Sequence, residues 1–155
     1  PPRSTLFPYT TLFRSLQQPD NTIWTPDISL PILNGVIYGG ARPAMVLHAN
    51  CGITFDLSHI RTLVPEGELS GFTATIGISE TVDKNVLHAT DLWILLEGKM
   101  CYHLGQDKFK ITPQQVALDL PGNARFMTLV ATDGGETMDF DWWVLAEPQF
   151  VIDEN

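Results

Sequence analysis

"GFTATIGIS", Gly71 to Ser79, is the stretch that decides the fold class. Phe72, Ala74, Ile76 and Ile78 take alternate positions, with Thr73, Thr75 and Gly77 between them. Successive side chains of a strand point to opposite faces, so this is the pattern of a β-strand that buries one face and leaves the other small and polar. The neighbouring runs repeat the pattern. In "ITFDL", Ile53, Phe55 and Leu57 face one way and Thr54 and Asp56 the other; "AMVLH", "DLWILLEG", "KMCYHL", "KFKIT", "QQVALDL", "RFMTLVAT", "FDWWVLA" and "QFVI" are further short runs of strand-forming residues. Turn formers separate them: Asn34-Gly35, Gly39-Gly40, Pro65-Glu66-Gly67, Glu97-Gly98, Pro121-Gly122-Asn123 and Asp133-Gly134-Gly135. Only "SHIRTLV" after Leu57 has room for a helical turn, and Pro65 ends it. Many short strands without helices to serve as crossovers predict an all-β antiparallel sandwich or barrel.

The ends of the chain read differently. "PPRSTLFPYTTLFRS", Pro1 to Ser15, resembles the in-frame translation of a widely used short-read sequencing adapter, and is read as a cloning or assembly scar outside the fold. On that reading the natural N-terminus, with any export signal, is missing. "LQQPDNTIWTPDISLP", residues 16–31, holds three prolines and no sustained alternation; it is expected to be a linker or wrapping arm with one edge strand, anchored by Trp24 and Ile28. Residues 32–155 then form a single β-sandwich domain, a size that supports one core.

Composition narrows the partners. The 155 residues carry a formal charge of −9; without Arg3 and Arg14 seven basic residues face eighteen acidic ones, which gives −11. Such a chain repels phosphate backbones and anionic lipid headgroups, so neither nucleic acid nor a membrane is an expected partner. The longest apolar run, "ISLPILNGVIYGG", is broken by Pro31 and Asn34 and falls short of the roughly 20 residues that span a bilayer. Cys51 and Cys101 lie fifty positions apart. Buried free thiols are the first reading, and one disulfide is the alternative.

No GxSxG, HExxH, GxxxxGK[ST] or GxGxxG motif occurs, so no catalytic residue is predicted. Cys101 and His103 share a strand face, but zinc needs three or four ligands, and none of Cys51, His48, His59 and His88 stands at a diagnostic spacing. The acidic segment "TDGGETMDFDWW" gathers Asp133, Glu136, Asp139 and Asp141. Turn architecture without a cofactor is the first reading, since Asp caps its own backbone in turns, and calcium is the alternative, since it favours oxygen-rich loops.

The order of these runs resembles the NPCBM family of carbohydrate-binding modules. The residues that match its pattern are His48-Ala49, Ile53, Phe55-Asp56-Leu57, Phe72-Thr73-Ala74, Gly77, Glu97-Gly98-Lys99, Leu129, Asp133-Gly134-Gly135, Asp141 and Pro148, and the resemblance covers most of Leu33 to Val151. The chain departs from the pattern at Glu97, where Asp is usual, at Leu145, where an aromatic is common, and at Glu147, which precedes Pro148 in place of Asp. The resemblance implies a galactose-binding-domain-like jelly-roll sandwich. It further implies a non-catalytic carbohydrate-binding or accessory module of a larger exported bacterial protein, extracellular or periplasmic, with a glycan and neighbouring domains as partners. A structural or protein–protein spacer is the alternative.

Strand parity then yields named expectations. Phe55, Leu57, Phe72, Ile76, Trp93, Leu95, Leu129 and Val144 are predicted to be buried between the sheets. Trp142 and Trp143 point to opposite faces; Trp143 shares its side with Asp141 and is the expected stacking platform for a sugar ring, with Trp24 as a second wall. Tyr38, Arg42, His48, Asn50, Asp133 and Asp141 complete the predicted ligand-binding set, provided that the Tyr38–Arg42 turn, the His48–Asn50 segment and the Asp133–Trp143 approach converge.

Overall fold

The computed structural model describes residues 16–17, 23–24, 30–39, 41–82, 89–106, 112–135 and 141–154. Residues 1–15, and Ile28 in the arm, lie outside the described residues. Of the remaining arm, β1 (Leu16–Gln17) pairs with β2 (Ile23–Trp24) in an antiparallel register that sets Leu16 opposite Trp24.

From residue 32 the strands are β3 (Ile32–Leu33), β4 (Val36–Ile37), β5 (Ala44–His48), β6 (Cys51–Asp56), β7 (Gly67–Ile78), β8 (Thr90–Leu96), β9 (Lys99–Gln106), β10 (Gln114–Asp119), β11 (Phe126–Thr132) and β12 (Trp142–Glu154), with the helix α1 (Leu57–Leu63) between β6 and β7. Two four-stranded sheets result, in the orders β10-β7-β12-β5 and β6-β11-β8-β9, with every pairing antiparallel. Apart from the β8–β9 hairpin, each connection from β5 onward crosses between the sheets, which is the jelly-roll arrangement. The parity of "GFTATIGIS" holds: Phe72, Ala74, Ile76 and Ile78 are buried among Leu92, Ile94, Met127, Leu129, Trp143 and Leu145. Leu57 is buried, and Phe55 packs half-buried against the same cluster.

Three core expectations need correction. Trp93 and Leu95 lie half-buried on the outer face, whereas Leu92 and Ile94 are fully buried. "DLWILL" is apolar at both parities, so alternation alone could not orient it. Pairing with β11 decides, because Leu92 opposes Ala131 and Ile94 opposes Leu129, both of which face the core. Val144 is fully buried, but outside the sandwich, in a second cluster with Leu33, Tyr38 and Ala146. The β3–β4 hairpin makes that cluster by folding over the outer face of the first sheet. Gly77 permits the approach, since a Cβ there would stand 3.2 Å from Leu33 Cδ2 and from Pro113. The hairpin is held by Ile32 N–H donating to Ser79 Oγ at 3.0 Å and by Glu80 N–H donating to Ile32 O at 2.8 Å.

The short helix α1 forms because Asp56 caps it. Its Oδ1 accepts from the backbone N–H groups of Ser58 at 3.0 Å and His59 at 3.2 Å, and also from the Ser58 hydroxyl. Arg61 ties the helix to the β10–β11 turn by donating to Ala124 O at 2.6 Å and Pro121 O at 2.9 Å. Both cysteines are exposed free thiols, not buried ones. They sit on the opposite edge strands of one sheet, three strand spacings or about 14 Å apart, too far for a disulfide.

Candidate functional site

One end of the sandwich brings part of the predicted set together. The tight turn from β5 to β6 places Asn50 with φ of 58°, a left-handed conformation that Asn tolerates better than most residues. Its side-chain amide donates to Asp133 Oδ2 at 2.9 Å, bridging two loops that are 83 positions apart in sequence. Asp133 Oδ1 accepts from Gly135 N–H at 2.9 Å, which closes the turn after β11 on itself. Gly134 is required there, because its φ is +60° and a Cβ would lie 2.6 Å from Ala89 O. The Asn50 amide, and after it the Gly135 N–H, hold the Asp133 carboxyl below its ordinary pKa. The start of β12 completes the end, with Ala49 N–H donating to Asp141 O at 3.0 Å.

Among the described residues, the half-buried tryptophan beside the β5–β6 turn is Trp142, not Trp143, while Trp93 on the other sheet donates to Thr132 Oγ1 next to Asp133. Trp142 opposes His48 in the β12–β5 ladder, both are half-buried, and their rings meet edge to face with centroids 4.6 Å apart. His48 Nδ1 lies 3.2 Å from Ala49 O. Trp143 is 0% exposed, so the stacking platform expected of it does not exist. Its indole N–H donates to Thr90 Oγ1 at 2.9 Å, and Thr90 in turn donates to Thr132 O at 2.8 Å. The two tryptophans do face opposite ways, and Trp143 does share its side with Asp141. That side is the interior, however, since Asp141 is itself 0% exposed, and its carboxylate therefore meets no solvent-borne ligand. An aspartate at the start of a strand therefore does not mark its wet face here.

Tyr38 and Arg42 do not join this end. They precede β5 while Asn50 follows it, so the length of the strand, on the order of 20 Å, separates them. Tyr38 is buried in the second cluster, and Arg42 is exposed in a turn where Gly39 N–H donates to Arg42 O at 2.6 Å. The side chain of Trp24 lies outside the described residues. So do Glu136 and Asp139 of the acidic segment; among the described residues no three His, Cys, Asp or Glu side chains converge on a metal-sized site. Cys101 and His103 are each engaged elsewhere. The thiol donates to Ile94 O at 3.2 Å, while His103 stacks on Trp93 at 3.8 Å between centroids and lies 2.7 Å from Asp91 Oδ1. Among the described residues no helix is long and apolar enough to cross a membrane.

No protein-family model matches the chain, and no curated protein does. Solved structures match in fold. The CBM51 of a Clostridium perfringens GH95 protein, solved with methyl-galactose, superposes with a TM-score of 0.60 at 16% identity, covering 79% of this chain and 78% of that one. CBM51-2 of Clostridium perfringens ZmpB, solved with GlcNAc and INT domains, gives 0.61 at 13% identity over 81% of this chain. The tandem CBM51 modules of the Streptococcus pneumoniae family 98 glycoside hydrolase Sp3GH98 give 0.54 at 16% identity, also over 81%. The chain spans 25% of that ZmpB structure and 35% of the Sp3GH98 one. The molecule is thus a β-sandwich with the fold of CBM51 modules.

Proposed function

We propose that this chain is a non-catalytic carbohydrate-binding module, one domain of a larger exported bacterial protein, and that it binds a neutral glycan at the Asn50–Asp133 end of the sandwich. The observation that carries the reading is the pairing of an oriented amide and carboxylate with a half-buried tryptophan at a single loop end. A pyranose offers hydroxyl groups to the first two and an apolar ring face to the third. The methyl-galactose and GlcNAc complexes of similarly folded modules favour hexoses and N-acetylhexosamines as the ligand class. Asn50 and Asp133 align the hydroxyls, Trp142 supplies the contact surface, and His48 fixes the Trp142 ring.

A spacer role without sugar affinity is the second reading, favoured by the burial of both Trp143 and Asp141. Glycan-array screening of the wild type and of Trp142→Ala separates the two. Binding to a defined set of glycans that is lost or cut about tenfold in Trp142→Ala, a loss of roughly 1.4 kcal/mol, supports the module. Binding unchanged by the substitution removes this end as the site.

A further inference from the structure

The outer face of the first sheet carries a groove that the β3–β4 hairpin leaves uncovered. Its origin is a bulge in β12: Ala146 pairs with Thr75 and Gln149 with Thr73, so β12 spends one more residue than β7 between these two pairs. The additional length falls at Glu147-Pro148. Glu147 has φ of 49°, a left-handed conformation uncommon for a residue with a side chain, and its N–H donates to Pro43 O at 2.8 Å. The hairpin cluster covers the same face as far as Ala146. Beyond it a space of about 300 Å³ remains, at the lower end of the range for small-molecule sites.

Its lining chemistry is specific. Thr73, Thr75, Gln115, Glu147 and Gln149 surround it, with the methyl groups of Ala117 and Ala146 among them. These five polar side chains form no hydrogen bond within the described residues. On the opposite sheet several polar side chains are engaged, Thr54 with Thr128 at 3.0 Å, His103 with Asp91 at 2.7 Å and Trp93 with Thr132 at 3.2 Å. Two hydroxyls, two primary amides and one carboxylate over small apolar groups form a donor and acceptor set for a polyhydroxylated neutral ring. No Lys, Arg or His lines the groove, and its one formal charge is negative, so an anionic ligand is disfavoured.

We infer that this groove is a second saccharide subsite, on the sheet face and separate from the loop end, which takes a single pyranose unit of a neutral glycan through Gln115, Glu147, Gln149 and the Thr73 and Thr75 hydroxyls. The inference rests on the carbohydrate-binding reading but not on the location of the first site. Lacking an aromatic platform, the groove is expected to bind weakly, near the millimolar range.

The test is a ¹H–¹⁵N NMR titration of the intact chain with methyl-galactoside, N-acetylglucosamine and glucose, in the wild type, Thr73→Val, Gln149→Ala and Asn50→Ala. Saturable shifts are expected at the Gln115 and Gln149 side-chain amides and the Thr73 and Thr75 backbone amides. They should weaken about tenfold in Gln149→Ala and persist in Asn50→Ala, and Thr73→Val, which is nearly isosteric, keeps the test readable should Gln149→Ala perturb the strand. Shifts confined to Asn50, Asp133 and Trp142 overturn the groove and leave the module reading intact. The absence of saturable shifts anywhere overturns both.

Discussion

Trp143 shows how a single residue is fixed by its hydrogen bond as much as by its bulk. An indole N–H can enter a core only with an acceptor, and Thr90 Oγ1 at 2.9 Å is that acceptor, itself donating to Thr132 O. Thr90→Val keeps the volume and removes the acceptor, so it is expected to cost about 1–3 kcal/mol in urea denaturation. A change near zero would mean that Trp143 is not held in this way. Thr90 stands 53 positions from Trp143, and nothing in the local sequence pairs them. What the sequence did carry was the relative orientation of the two tryptophans, since parity is a local property. Which side is interior depends on the packed sheet, so parity alone does not tell that Trp143 faces inward and Trp142 outward. Glu97 is a comparable case. It takes a left-handed position, φ of 51°, in the β8–β9 turn where the resembled pattern has Asp, and its longer side chain accepts from Arg125 N–H and Phe126 N–H, both at 2.6 Å. The departure from the pattern therefore joins the hairpin to β11.

At the scale of elements, strands with one apolar parity were legible and strands with two were not. The Gly71–Ile78 part of β7 has a single apolar parity, and its four inward residues all lie in the core; β8 is apolar at both, and only its register with β11 orients it. The β3–β4 hairpin could not be placed from sequence, because its seat depends on Gly77 having no side chain and on Ser79 accepting from Ile32. β7 is the central test of the core. Phe72 is fully buried and contacts Phe150 at 5.5 Å between ring centroids, so Phe72→Ala is expected to cost roughly 3–5 kcal/mol through the cavity it leaves. Chemical denaturation yielding less than about 1 kcal/mol would contradict the assigned facing of the strand.

The whole molecule unites a fold readable from alternation with a proposed site that is only partly so. Asn50 and Asp133 were both singled out and do meet, while Tyr38 and Arg42 lie at the other end of β5 and Asp141 is inside. Loop convergence is a property of the closed jelly roll, which no local pattern records. Charge acts at this scale as well. Asp56, held chiefly by the Ser58 hydroxyl, Glu97, by the Phe126 and Arg125 N–H groups, and Asp133, by the Asn50 amide, all titrate below their ordinary values in the folded state. Such groups stabilise the fold above the unfolded carboxylate pKa of about 4 and lose that contribution as pH falls through their lowered folded values. Self-repulsion from the net charge of −9 relaxes over the same descent, toward the isoelectric point near 4.6. Stability measured by urea midpoint is therefore expected to peak near pH 5 and to fall below about 4, with a shallower fall in Glu97→Gln. An identical fall in that variant would remove Glu97 from the account.

The claim that all of this serves is sugar recognition by the end of the sandwich, and calorimetric titration of the intact chain with methyl-galactoside and N-acetylglucosamine oligosaccharides tests it most directly. Saturable binding with a dissociation constant between roughly micromolar and millimolar, abolished or weakened about tenfold by Asn50→Ala, is the expected result. A chain whose circular dichroism shows it folded, yet which gives no saturable heat with any neutral glycan at tens of millimolar, would contradict the account and leave the spacer reading in its place.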